Sequence, residues 1–180
     1  MRQLRAGDTV YISGPLFGLR DATQIRMFDK GIAPPVDLRG HFCIHTAPNV
    51  KKLPNGRYEK VSIGTTTSTR MERFSPLLIS QYGVRGIIGK GGLLEGSTRA
   101  MAEHGACYLS IVGGTAALET LQIEEIEEVY WEDLMPECLW KFRVKELGPL
   151  LVSIDSHGRN LYSEVKASAR QKLDDILRNP

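Results

Sequence analysis

The sequence predicts an α/β fold with a mixed central sheet and flanking helices. Three observations predict it: short β-branched and apolar runs recur along the chain, amphipathic stretches ending in glycine separate them, and the last third brings strands in succession.

Taken in order, strands are expected at residues 9–12, 42–45, 61–63, 86–88, 108–112 and 128–130, with a late pair at 139–144 and 150–154. That pair, joined by the turn Ser156-His157-Gly158-Arg159, reads as an antiparallel addition to a partly parallel sheet. Residues 20–30 are expected to form a helix after the Gly/Pro-rich turn G-P-L-F-G-L. Ser75-Pro76 supplies an N-cap and first turn for residues 76–82, which Gly83 ends. Further helices are expected from about Ser97 to His104-Gly105 and over residues 115–121. Residues 163–177 form a charged helix in which Val165, Ala169, Leu173 and Ile176 are spaced three to four apart. The domain therefore spans residues 1–162, and residues 163–180 are a tail helix for packing at home or on a partner.

Composition narrows the functional classes. A chain of 180 residues, 42% hydrophobic and 24% charged, is long enough to bury a core as one domain. A formal net charge of +2 argues against a nucleic-acid binder, which needs a clustered basic face. The N-terminus lacks the apolar run of a signal peptide, and no stretch reaches the ~20 apolar residues that span a bilayer. A cytoplasmic protein with no membrane partner is expected. Its three cysteines, Cys43, Cys107 and Cys138, are too scattered for a self-contained metal centre and read as reduced structural thiols.

The richest motif is G-T-T-T-S-T-R at residues 64–70, directly after an expected strand and so at that strand's carboxyl end, where α/β sheets bind ligands. Free amides and hydroxyls there would trap an anion, and Arg70 offers a planar fork for a carboxylate or phosphate. The competing reading is a polar turn with Thr69-x-x-Glu72 as a capping box. Twenty residues on, Lys90 sits between glycines in I-I-G-K-G-G, where backbone could approach a ligand closely; a merely solvated lysine is the alternative. The motif is not a Walker loop, since Gly91 follows Lys90. Nor is it a dinucleotide fingerprint, since Leu94 stands at the third glycine position. Upstream, Asp21 suits the positive end of the first helix, whereas Arg20 opposes it and so hints at a ligand. His41, Cys43 and His45 alternate on one strand and could share a face for a soft metal, although packing is the commoner role.

Together these residues resemble the β subunit, or C-terminal domain, of the iron–sulfur hydro-lyases of the class I fumarase and L(+)-tartrate dehydratase group. Arg20-Asp21-Ala22-Thr23-Gln24-Ile25-Arg26 resembles the family's R-D-x-x-H-x-R, residues 64–71 resemble G-P-T-T-x-x-R-M, and residues 89–92 match G-K-G-G. The downstream segments Q-I-E-E-I-E-E-V-Y-W and M-P-E-C-L-W-K-F-R-V-K-E-L-G-P-L-L-V-S-I-D-S-H-G are similar to tartrate dehydratase β chains. The resemblance implies a swivelling β/β/α domain and reversible hydration of a C4 dicarboxylate, fumarate to L-malate, or dehydration of tartrate to oxaloacetate. It implies a [4Fe-4S] cluster bound by an α subunit, with none bound by this chain, and a homo-oligomer of αβ units.

Carried over by residue, the resemblance implies that Arg20, Thr67, Arg70 and Lys90 hold substrate, and that Thr66 is the base moving the C3 proton, with Lys90 and Gln24 at the catalytic positions. A threonine is a poor base unless a positive field stabilises its alkoxide, which Arg70 and Lys90 could supply. Two departures stand out: Gln24 replaces the family's histidine and Thr65 its proline. Asp21 and His45, the latter aligned with a family histidine, are further candidates. A non-catalytic anion-binding module is the reading from another class.

Overall fold

The computed structural model describes residues 1–178, and in it eight strands and five α-helices follow one another as β1 (Thr9–Leu19), α1 (Asp21–Gln24), β2 (Phe42–His45), β3 (Asn49–Lys52), β4 (Tyr58–Ser62), α2 (Ser75–Tyr82), β5 (Gly86–Gly89), α3 (Glu95–His104), β6 (Cys107–Ser110), α4 (Ala116–Gln122), β7 (Ile123–Tyr130), β8 (Leu139–Ile154) and α5 (Leu161–Arg178). The predicted class holds: the central sheet is mixed, in the order β1-β2-β5-β6-β8-β7, and helices flank it. Strands β1, β2, β5 and β6 run parallel, and β8 runs antiparallel to β1, β6 and β7.

One strand closes the sheet on itself. β8 pairs with β1 along one edge and with β7 and then β6 along the other, so the ring β1-β2-β5-β6-β8 returns to β1. Alternate residues then face a closed interior or the helices outside, and both faces must be apolar. Inside lie Leu16, Ile44, Ile88, Leu109, Trp140 and Phe142. Outside, their neighbours Phe17, Cys43, Ile87 and Tyr108 pack with Leu78 of α2 and Met101 of α3.

Several local expectations change. The expected late pair is the single strand β8, whose register against β1 shifts between the Val10 and Ile12 pairings, on either side of Gly148-Pro149. The turn after it, whose amides at His157 and Arg159 donate to Asp155, leads into α5 rather than into another strand. Gly14 to Leu19 is strand rather than turn, because β8 and β2 pair with it on both sides. Of residues 61–63, Val61 and Ser62 end β4 of a two-stranded hairpin, β3–β4, outside the central sheet, and Ile63 follows it. The first helix is α1 continued by a wider π turn over Ile25–Asp29. Ser75 does not cap α2; its hydroxyl donates to the Met71 carbonyl at 3.0 Å.

The tail helix begins two residues earlier than expected. Asn160 caps it, its side-chain oxygen accepting from the amides of Tyr162 (3.0 Å) and Ser163 (3.3 Å). Residues 163–178 are exposed, while Asn179 and Pro180, the rest of the expected tail, lie outside the described residues. Among the described residues no helix is long and apolar enough to cross a membrane.

Candidate functional site

Three parallel strands deliver the site at their carboxyl ends. Arg20 follows β1, His45 ends β2 and Lys90 follows β5. The turn of residues 64–70 arrives from the hairpin and is laced across these ends: Thr65 bridges to Thr46 and Thr67 to Lys90, while the Thr66 amide donates to the His45 carbonyl and the Ser68 amide to the Lys90 carbonyl, each at 2.8 Å. The position is the expected one, but the means differ. The amides of Thr65, Thr66 and Ser68 are already donated within the protein, so these three are not free to trap an anion, and side chains must supply much of its hold.

The expected capping box is also absent. Residues 68–71 form one 3₁₀ turn, and Glu72 reaches away to cap α3, accepting from the amides of Leu94 (2.7 Å) and Ser97 (2.9 Å). Its carboxylate thus sits at the positive end of a helix.

Two arginines share one carboxylate. Asp21 Oδ2 lies 3.2 Å from Arg20 Nε and 3.1 Å from Arg70 Nη2. Arg70 Nη2 also donates to Thr66 Oγ1 at 3.3 Å, so a guanidinium stands against the hydroxyl that the resemblance names as base. Their side chains remain 28% (Arg20) and 50% (Arg70) exposed, so an incoming ligand could reach them. Lys90 Nζ has no hydrogen-bond or ion-pair partner among the described residues, and Thr67 is exposed beside it. The glycines around Lys90 have separate causes. A Cβ on Gly89 would lie 1.9 Å from Ser68 Oγ, and Gly91 turns the chain at φ +79°.

Beneath the turn runs a buried polar chain. Tyr108 OH donates to Ser68 Oγ at 2.9 Å, and Ser68 Oγ lies 2.9 Å from His45 Nδ1. A hydroxyl that accepts from tyrosine is free to donate to Nδ1, which leaves the histidine proton on Nε2. Burial drives the His45 pKa down to about 3 against the opposing charge of Asp21, so the ring is neutral at pH 7. Its Nε2 has no hydrogen-bond partner among the described residues, and neither has Oε1 of Gln24, whose amide donates to the Arg20 carbonyl at 3.3 Å. His45 does not join a metal site with its neighbours: His41 packs edge-on to Phe17 and Cys43 is sealed in the core.

Two carboxylates that no motif singled out complete the site. Glu137, before β8, accepts from the Ala22 amide at 2.7 Å, stands 3.4 Å from Arg20 Nε, and takes the Thr23 hydroxyl on its carbonyl, so it caps α1 from outside. Glu119 of α4 accepts from the Thr65 amide at 3.1 Å and from Thr115 Oγ1 at 2.6 Å. Both sat in segments noted only for family likeness or as a short apolar helix. An acid isolated among apolar residues was the available signal.

A family assignment follows from comparison with known proteins. Residues 1–165 match the family described as Fumarase C-terminus. The chain belongs to that family. It is 42% identical over 179 residues to the L(+)-tartrate dehydratase subunit beta of Escherichia coli (strain K12), covering 98% of this chain and 88% of that one. It is 34% identical over 182 residues to a putative L(+)-tartrate dehydratase subunit beta of Methanocaldococcus jannaschii, covering 98% and 93%. Against a putative fumarate hydratase class I of Geobacillus stearothermophilus it is 36% identical over 177 residues, covering 98% of this chain but 34% of that longer protein. Its relatives thus include separate β subunits and a longer protein of which it matches 34%.

The cysteines of this Fumarase C-terminus chain do not suit an iron–sulfur cluster. All three are buried and free, and burial pushes their thiols up to about 12, 12 and 11 for Cys43, Cys107 and Cys138, against the thiolate a cluster needs. Among the described residues no group of His, Cys, Asp and Glu is placed to hold a metal.

Proposed function

We propose that this chain is the β subunit of a two-subunit hydro-lyase acting on a C4 dicarboxylate, with reversible hydration of fumarate to L-malate as its reaction. One observation carries the reading: a single carboxylate, Asp21, engages both Arg20 and Arg70, so the two guanidinia already converge as a dicarboxylate's end group requires. Lys90, unpaired and beyond the Thr66–Thr67 turn, is the cation for the second carboxylate.

In this reading Thr66 takes the C3 proton. The Arg70 hydrogen bond at 3.3 Å and the nearby Lys90 charge favour the alkoxide over the alcohol, which is the stabilisation a threonine base lacks in water. Gln24 offers only an amide where an imidazole would carry a proton, so a proton carrier on that side comes from elsewhere. The family supports a [4Fe-4S] cluster held by the α subunit, and no step on this chain depends on it. The αβ units would assemble further into a homo-oligomer in the cytoplasm.

A second reading, dehydration of L(+)-tartrate to oxaloacetate, is favoured by the relative at 42% identity named for that reaction. Both reactions use the same clamp and differ in tolerating a second hydroxyl. Reconstitution with the α chain and competing assays with L-malate and L(+)-tartrate separate them by the ratio of kcat/KM. Thr66→Ala and Lys90→Ala should each lower turnover by about 10²–10⁴. Unchanged turnover in both variants would make the chain a non-catalytic anion-binding module.

A further inference from the structure

Glu119 is a buried carboxylate, 1% exposed, that the proposed reaction leaves without a task. It lies on α4, yet its two oxygens are spent on different partners. Oε1 takes the hydroxyl of Thr115 at 2.6 Å, and Oε2 takes the backbone amide of Thr65 at 3.1 Å, the residue before Thr66. The Thr66 and Ser68 amides are laced backbone to backbone, and the Thr46 hydroxyl donates to the Gly64 carbonyl at 2.7 Å, so Glu119 is the side-chain tie on the amide of the residue next to Thr66.

The second observation concerns Lys90. Its charge acts on the Glu119 carboxyl, and its stem passes Gly113, where a Cβ would lie 3.4 Å from Lys90 Cδ. Gly113 opens the loop into α4. One carboxylate therefore holds the residue beside Thr66 and faces the lysine across from it. An amide left without an acceptor in this part-buried place would draw the turn towards water or another acceptor, and Thr66 would move with it.

We propose that Glu119 is a positioning residue of the site: through the Thr65 amide it fixes where Thr66 Oγ1 stands relative to Arg70 and Lys90. Both contacts are hydrogen bonds, and a glutamine can keep the Thr65 amide on its one carbonyl oxygen while its NH2 donates to Thr115 Oγ1, whose own proton goes to the Val112 carbonyl. Only the kinetic half of this inference rests on the hydro-lyase reading.

The test uses the full chain in two arms. In the isolated chain, hydrogen exchange at the Thr65 amide is measured for the unaltered chain, Glu119→Gln and Glu119→Ala, and Tm for these and for Thr65→Pro and the double variant Glu119→Ala/Thr65→Pro. Proline deletes the donor, so the double variant has no orphaned amide. Glu119→Gln should keep Thr65 protected, Glu119→Ala should lose that protection, and the double variant should be more stable than the sum of the single losses. In the reconstituted αβ pair, Glu119→Ala should lower kcat by roughly tenfold to a hundredfold with KM changed less than about threefold, because the base is misplaced while the arginine clamp is intact. Glu119→Gln and the double variant should recover kcat to within about threefold.

Additive Tm losses, or an unprotected Thr65 amide in the unaltered chain, would overturn the proposal. So would normal kcat in a Glu119→Ala pair assayed below its Tm, which would leave Glu119 a structural residue only. A wild-type pair inert towards malate, fumarate and tartrate would instead sink the hydro-lyase reading, and the exchange and Tm arm would still decide whether Glu119 holds the turn.

Discussion

The corner formed by Arg20, Asp21 and Arg70 and the helix α5 are built from the same kinds of residue and are held in opposite ways. In the corner every charged side chain is tied to backbone fixed by the sheet: Arg20 and Asp21 start a helix capped by Glu137, and Arg70 ends a turn laced to β2 and β5. In α5, residues 163–178 are all exposed, and the ion pair Arg159–Glu164 lies at its first turn. Charge acquires direction where the backbone beneath it has no freedom.

The largest effect is expected at Asp21. Asp21→Asn keeps the shape but removes the charge that orients both guanidinia. We expect kcat/KM of the reconstituted pair to fall by about 10²-fold, as for other misplaced clamps. Stability should change little, because partly exposed ion pairs contribute only about 0.2–1 kcal/mol. A large fall in Tm with normal kinetics would mean that Asp21 serves the fold and not the clamp.

The next prediction reaches below the corner, to His45. Its ring is neutral when folded, with a pKa near 3, and ordinary, near 6.5, when unfolded. The unfolded chain therefore binds more protons below pH 6.5, and stability falls as pH drops from there towards 3, by at most ~1.4 kcal/mol per pH unit. Above pH 6.5 the group contributes no slope. Chemical denaturation of the wild type and His45→Asn between pH 4 and 7 reads it: the variant should show the shallower acid loss. Equal slopes would show that the ring is not sealed from water in solution.

How much of this was legible follows the range of the contacts. β2, β5 and the glycine-ended helices α2 and α3 were readable because each is specified by its own apolar run and terminal residues. Residues 139–144 and 150–154 read as two strands, whereas β1 pairs with β8 on both sides of Gly148-Pro149 and carries it through as one. Gly14-Pro15 likewise reads as a turn. In the site, Arg20, Thr66, Arg70 and Lys90 were found as motifs, and the fold brings them to one end of the sheet. Glu137 and Glu119 were not, since their partners lie 115 and 54 residues away and an acid isolated among apolar residues, the one local signal, does not say which element it caps. Three of the turn's amides are likewise spent beyond local view: a glycine- and threonine-rich sequence does not reveal that the His45 and Lys90 carbonyls and the Glu119 carboxylate accept from them.

The smallest effect is expected at the tail, and it tests the other side of the contrast. Leu173 and Ile176 of α5 are 54% and 65% exposed, so removing either apolar side chain takes little from the fold. Leu173→Glu should shift the stability of the isolated chain by no more than about 0.5 kcal/mol, as exposed substitutions do. The apolar spacing of Val165, Ala169, Leu173 and Ile176 nevertheless gives the helix one side suited to packing. If residues 163–178 pack on an α subunit or a second copy, the same substitution should weaken assembly while Tm of the lone chain stands still. A drop of several degrees in the lone chain would mean that the helix folds back onto its own domain in solution. The held corner and the free helix would then differ in what they touch, but no longer in whether they are held.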